Sequence, residues 1–122
     1  MAKFMLILHE TPGRFRKLSP EEMQRTFERY RSWVDRKLRS TERLVASDKL
    51  TSDGGKMLTK QNGRLSVVDG PYSEAKEVVG GFFVFRADSY NEAIEMVSDC
   101  PHLDFGRIEV RETDTMGCGR DA

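Results

Sequence analysis

Lys3-Phe4-Met5-Leu6-Ile7-Leu8-His9 is a short run of strand-forming residues in which every interior position is apolar. In an extended chain Phe4, Leu6 and Leu8 point one way, Met5 and Ile7 the other. Both faces of such a strand need cover, the pattern of a central strand. Phe82-Phe83-Val84-Phe85 repeats it, with Phe82 and Val84 opposing Phe83 and Phe85. Two helices are written around these strands. Ser19-Pro20-Glu21-Glu22 opens the first, with a side-chain cap, a proline in the first turn and a reciprocating glutamate. Met23, Phe27, Tyr30, Val34 and Leu38 carry it as one apolar stripe to near Ser40. Ser89-Tyr90-Asn91-Glu92 opens the second, which runs through Ala93, Ile94 and Val97 to about Cys100, where Pro101 stops it.

Weaker signals fill the gaps. Leu44 to Leu50 reads as a strand. Lys56–Thr59 and Arg64–Asp69 flank Gln61-Asn62-Gly63, and Asn-Gly between such runs marks a hairpin. Ser73 to Val79 is expected to form two helical turns, with Ser73 as cap and Gly80-Gly81 as terminator. Arg107 to Glu112 alternates strictly, as a half-buried strand does. The order is βαββαβ with an inserted hairpin, an α+β pattern. One domain is expected over residues 1–112, followed by a tail over 113–122. Short crossovers put both helices on one face of the sheet. The other apolar face then lacks cover within the chain, and a homodimer packed sheet to sheet would supply it.

Composition narrows the function only by exclusion. The chain has 122 residues, one domain's worth, and 20 basic residues against 20 acidic ones, which gives no global pull toward nucleic acid or a membrane surface. Charge is unevenly placed: Glu10–Arg43 holds ten basic and six acidic residues, Val67 to the end five and twelve. With the signs interspersed, this reads as solvated surface. The apolar runs are too short to span a bilayer, and the first residues do not resemble a signal peptide. Two cysteines, Cys100 and Cys118, are too few for a disulfide framework, so a cytoplasmic location with both thiols free is expected.

Val68-Asp69-Gly70-Pro71-Tyr72-Ser73-Glu74-Ala75-Lys76-Glu77-Val78-Val79-Gly80-Gly81-Phe82 resembles the YCII-related family, specifically its DGPF subgroup. The match rests on Asp69, Gly70, Pro71, Glu74, Lys76, Glu77, Gly80 and Gly81, with Tyr72 where the subgroup has Phe. An opening strand, a Ser-Pro-Glu-Glu helix start and a closing Cys100-Pro101-His102…Ile108-Glu109-Val110-Arg111 are also similar, so the resemblance spans nearly the whole chain. The family continues with proline after that arginine. Glu112 departs from it, and nothing is carried beyond Arg111. The resemblance implies a ferredoxin-like fold that dimerises as an α+β barrel. It implies no single activity: some relatives act on small aromatic molecules, and some DGPF proteins are encoded with or fused to extracytoplasmic-function sigma factors.

Asp69 is the leading site residue. It closes a strand before a Gly-Pro turn, where its carboxylate could act as a general base or anchor, or simply accept the backbone amides of the turn. Tyr72 offers a hydroxyl to donate or to bind. His102, in Cys-Pro-His, and His9, at the end of the first strand, could each pair with Asp69 as an acid–base dyad, the arrangement the resemblance suggests. Pro71, Lys76 and Glu77 are the expected ligand contacts. Cys100 and His102 have no second ligand pair at zinc spacing, and no phosphate-binding glycine motif is present, so neither metal nor cofactor is expected. The reading that follows is a small-molecule-binding protein with lyase- or hydrolase-like acid–base chemistry. Its alternative is a non-catalytic regulatory or interaction module associated with a sigma factor. A cofactor-free oxygenase rests on fold analogy alone.

Overall fold

The computed structural model describes residues 1–15, 17–71 and 74–114. Strands β1 (Ala2–Glu10), β2 (Leu44–Lys49), β5 (Val78–Ala87) and β6 (Gly106–Glu112) form one antiparallel sheet in the order β2-β5-β1-β6. Strands β3 (Lys56–Gln61) and β4 (Arg64–Asp69) form a separate hairpin. Its Asn62 and Gly63 take φ of 52° and 78°, the left-handed pair that a two-residue turn of this hand requires. Helix α1 (Pro20–Val34) continues into a π-helical turn, Asp35–Arg39, and helix α2 (Tyr90–Val97) precedes a 3-10 turn at Pro101–Asp104. Set aside the hairpin, and the sheet order is that of a ferredoxin-like α+β fold.

Both central strands behave as their sequences demand. Phe4 pairs with Phe85 and Leu6 with Phe83, on the face where the helices pack. Phe4, Leu6, Leu8, Phe85 and Ala87 meet Trp33, Val34 and Leu38 from the first helical segment and Ala93, Val97 and Cys100 from the second. Met5 opposite Val84 and Ile7 opposite Phe82 lie on the other face, half-buried and covered by no helix. The Ser19 cap is present in full: its hydroxyl accepts the Glu22 amide at 3.1 Å, and the Glu22 carboxylate accepts the Ser19 amide at 2.9 Å.

Three expectations need correction. No helix forms over Glu74–Val79: Glu74–Glu77 are irregular, and Val78 and Val79 open β5 opposite Glu10 and His9. A segment this short cannot sustain a helix alone, and its β-branched pair extends the central strand β5 along β1 instead. Gly80 and Gly81 accordingly lie inside a strand and terminate nothing. The apolar stripe of α1 is also turned from the expected line. Thr26, Trp33, Val34 and Leu38 are its buried residues, whereas Met23 and Phe27 are only half-buried. Trp33 enters the core because its indole N–H finds the Asp99 carboxylate at 2.8 Å, which satisfies the one polar group it would bury. Ser73 and the tail from 115 onward, Cys118 included, lie outside the described residues.

Candidate functional site

The strongest chemical environment lies where β1 runs out of the core. Glu10, its last residue, is half-buried at the end of the sheet. Its carboxylate occupies space that a side chain at position 80 would need: a Cβ on Gly80 would stand 2.1 Å from Glu10 Oε1. A Cβ on Gly81 would come within 2.9 Å of the Asp48 carbonyl. The glycine pair is thus a close-approach device between strands.

Above this floor a cleft of about 400 Å³ opens between α1 and the sheet. Phe15, Phe27, Tyr30 and Phe83 wall it, and Glu10, Arg31, Arg39 and Lys49 supply its charge. Phe15 comes from the loop between β1 and α1. Its ring centre lies 6.2 Å from Phe27 and 6.2 Å from Phe105, and the Lys49 ammonium stands 5.6 Å from Phe15 and 5.9 Å from Phe27. Arg14, on the same loop, lies over Phe105 at 4.4 Å. Burial raises the Glu10 pKa above the ordinary carboxylate value, against the pull of His102, Lys49 and Arg14. Burial likewise raises that of the Tyr30 phenol, helped by Cys100 and by Glu10 itself. A carboxyl group reluctant to ionise, close enough to a phenol to influence it, is equipped to give and take a proton. A shallower hollow of about 450 Å³ on the outer side of α1, along Leu18, Met23 and Phe27, lacks the buried carboxylate.

The residues expected from sequence fall in three places. His102 is wholly buried (0% exposed) behind the cleft. Its Nδ1 lies 2.7 Å from Tyr30 Oη, and its Nε2 lies 2.8 Å from the His9 carbonyl. The His9 ring turns to the opposite face, where Nε2 meets Glu109 at 2.8 Å, and Glu109 also holds Arg111 at 3.2 Å. Asp69 lies at the base of the hairpin, its side chain 80% exposed and ion-paired with Lys56. Neither histidine hydrogen-bonds Asp69 among the described residues. Glu77 is clamped by Arg107 through two hydrogen bonds, Lys76 and Pro71 are exposed, and Tyr72 lies outside the described residues. Gly70 and Pro71 pack against Gly54, whose φ of +86° and lack of a Cβ let the Gly70 carbonyl approach. Cys100 is free and buried, and burial pushes its thiol up to about 11, so it is protonated and inert at neutral pH. Among the described residues, no three His, Cys, Asp or Glu side chains are grouped to hold a metal ion.

Sequence reading passed over Glu10, Tyr30, Lys49 and Phe15. A signal was available: two glycines at the head of an apolar strand mark a place where another group approaches the backbone.

The YCII-related domain family matches residues 2–116. The chain belongs to that family. Comparison of this YCII-related domain with curated proteins finds no match. Among solved structures, it is similar to the 5-chloro-2-hydroxyhydroquinone dehydrochlorinase of Burkholderia phenoliruptrix in complex with 2,5-dihydroxybenzoquinone. That likeness has a TM-score of 0.52 at 12% identity, over 92% of this chain and 93% of the other. An Arabidopsis thaliana protein is similar with a TM-score of 0.40 at 14% identity, over 98% and 99% of the two chains. The dehydrochlorinase likeness shows that the YCII-related domain shares its fold. No helix among the described residues is long and apolar enough to cross a membrane.

Proposed function

We propose that this YCII-related protein binds a small aromatic molecule in the cleft between α1 and the sheet and acts on it by proton transfer, in the manner of a lyase. The observation that carries the reading is the half-buried Glu10 carboxyl, held above its ordinary pKa beside Tyr30 in an aromatic-walled cleft. That the similar dehydrochlorinase binds a dihydroxybenzoquinone is in keeping with it. The Asp69-to-Gly81 motif supports placement in the DGPF subgroup, the open sheet face supports a homodimer, and the low cysteine count supports a cytoplasmic setting. The alternative of a regulatory module beside a sigma factor finds no support in the comparisons.

Two acid–base centres compete within this reading. One is Glu10 with Tyr30. The other is Asp69, with Tyr72, His9 or His102 as its partner and Pro71, Lys76 and Glu77 as ligand contacts. The enclosed position of Glu10 favours the first, since an exposed carboxylate already paired with a lysine has little around it to exclude water. Resorcinol, whose electron-rich ring exchanges its C–H hydrogens through a keto tautomer, is a suitable probe in heavy water. The protein should accelerate deuterium uptake, and Glu10→Gln should lose that acceleration on the order of 100-fold, the usual weight of one general acid–base group. Asp69→Asn should keep it. Loss on Asp69→Asn with retention on Glu10→Gln would move the chemistry to the hairpin.

A further inference from the structure

The hydrogen-bond chain behind the cleft has a direction. The His9 carbonyl can only accept, so His102 Nε2, 2.8 Å away, carries a hydrogen. The ring is fully buried, and neither nitrogen is bonded to a carboxylate among the described residues; a neutral imidazole with its hydrogen on Nε2 keeps Nδ1 bare. Its Nδ1 is then a bare lone pair, and the Tyr30 hydroxyl, at 2.7 Å, donates into it. Tyr30 has one hydrogen, and His102 takes it. Toward the cleft, Tyr30 Oη offers only a lone pair.

A ligand group that meets that lone pair must be a donor. The rest of the lining asks for the opposite. Arg31, Arg39 and Lys49 donate, although Arg39 already bonds Asp35 at 2.8 Å and Lys49 reaches the Leu50 carbonyl at 3.2 Å. Against these cations stands Glu10, whose burial resists ionisation. Phe15, Phe27 and Phe83 give flat apolar walls, and Gly80 and Gly81 leave a floor without side chains, so the shape suits a planar ring. A cavity of about 400 Å³ is at the small end for ligand sites.

Resting on the cleft reading above, we propose that the ligand is a hydroxylated aromatic carboxylate: a flat ring whose hydroxyl donates to Tyr30 Oη and whose anionic group meets Lys49 and Arg31. His102 is the positioning residue that sets the polarity of Tyr30.

Calorimetric titration of the full chain with four single-ring probes tests this. 4-Hydroxybenzoate should bind about tenfold more tightly than 4-methoxybenzoate, which keeps ring and charge but has no hydrogen to donate. 4-Hydroxybenzamide, uncharged, should bind about tenfold more weakly than the hydroxy acid. 3-Hydroxybenzoate reads the distance between the two groups and should differ from its isomer. Tyr30→Phe should bring the hydroxy acid down to the methoxy level, whereas Lys49→Met should weaken both acids alike and leave the hydroxyl preference standing. Equal binding of the hydroxy and methoxy acids overturns the proposal, as does a preference that survives Tyr30→Phe. If Tyr30→Phe does not fold, nitrogen NMR of His102 in the unaltered protein decides. A hydrogen on Nε2 alone is expected, and one on Nδ1 would reverse the polarity of Tyr30 and overturn the assignment. Should resorcinol shift the amide signals of Glu10, Gly80 and Gly81 while these preferences are missing, the ligand class falls and the cleft stands. If none of the probes, resorcinol included, reaches the cleft, both fall.

Discussion

On the proposed reading, Glu10 contributes to function and stability with opposite signs. Because burial raises its pKa in the folded protein, the unfolded chain gives up this proton at lower pH than the fold does. Below the ordinary glutamate range both states are protonated and the group costs nothing. As pH rises through that range the unfolded state ionises first, so stability falls, and the loss is complete once the folded carboxyl has ionised too. Glu10→Gln should therefore melt higher than the unaltered protein at pH 7, with the ionisation gain vanishing below about pH 4. Melting curves across that window check it, and a gap that stays constant with pH would show that Glu10 ionises as freely in the fold as out of it. Glu10 stands directly after an obvious strand, yet its sequence neighbours mark it only as a loop acid. Its environment is assembled by Gly80, 70 residues on, and by Tyr30, a helix away.

At the scale of elements, the caps and strands were legible and the facing of α1 was not. Trp33 shows why: its place in the core depends on Asp99, which follows α2 and also meets Lys37 at 3.3 Å. Burial pushes the Asp99 carboxyl up, but the hydrogen bonds from Trp33 and Lys37 outweigh this and hold it below its usual range. This clamp is whole above the ordinary aspartate range and weakens as pH falls through the lowered pKa. Asp99→Ala leaves a buried indole N–H without a partner and should cost about 1–3 kcal/mol at neutral pH, measured by urea unfolding. A loss below a few tenths would mean that water replaces the carboxylate. In α2, Ser89 caps the Glu92 amide at 3.1 Å as its spacing predicts. The glutamate, however, returns to the Asp88 amide at 2.7 Å and to Arg43 at 2.9 Å, which ties the helix to the start of β2.

For the whole molecule, two stretches of apolar surface among the described residues bear on assembly. Met5, Ile7, Phe82 and Val84 line the open face of the sheet, and Leu58, Leu65 and Val67 stand more than half exposed on the hairpin. A hairpin of two strands is marginal by itself, and an apolar sheet face in water is costly. A second copy packed on the open face would relieve the latter. Sedimentation at micromolar concentration should give twice the chain mass, and Val84→Lys, which puts a charge at the centre of that face, should give the monomer. A monomeric unaltered protein would refute the sheet-to-sheet arrangement.

The continuous apolar runs of Lys3–His9 and Phe82–Phe85, the Ser19 and Ser89 caps and the Asn62-Gly63 turn determined the element order by themselves, because each rests on interactions between residues close in the chain. The same local reasoning put a helix at Ser73–Val79, where pairing with β1 prevailed, since Val78 and Val79 gain a partner strand that no local signal announces. Asp69 was conspicuous in sequence and stands exposed on the hairpin. The cleft was inconspicuous, and only the tertiary structure assembled it. Glu10, Tyr30, Lys49, Gly80 and His102 are ordinary residues one at a time. Their chemistry arises from burial and from hydrogen bonds across the fold, quantities that exist only once β1, α1, β5 and the turn at Pro101 have packed together.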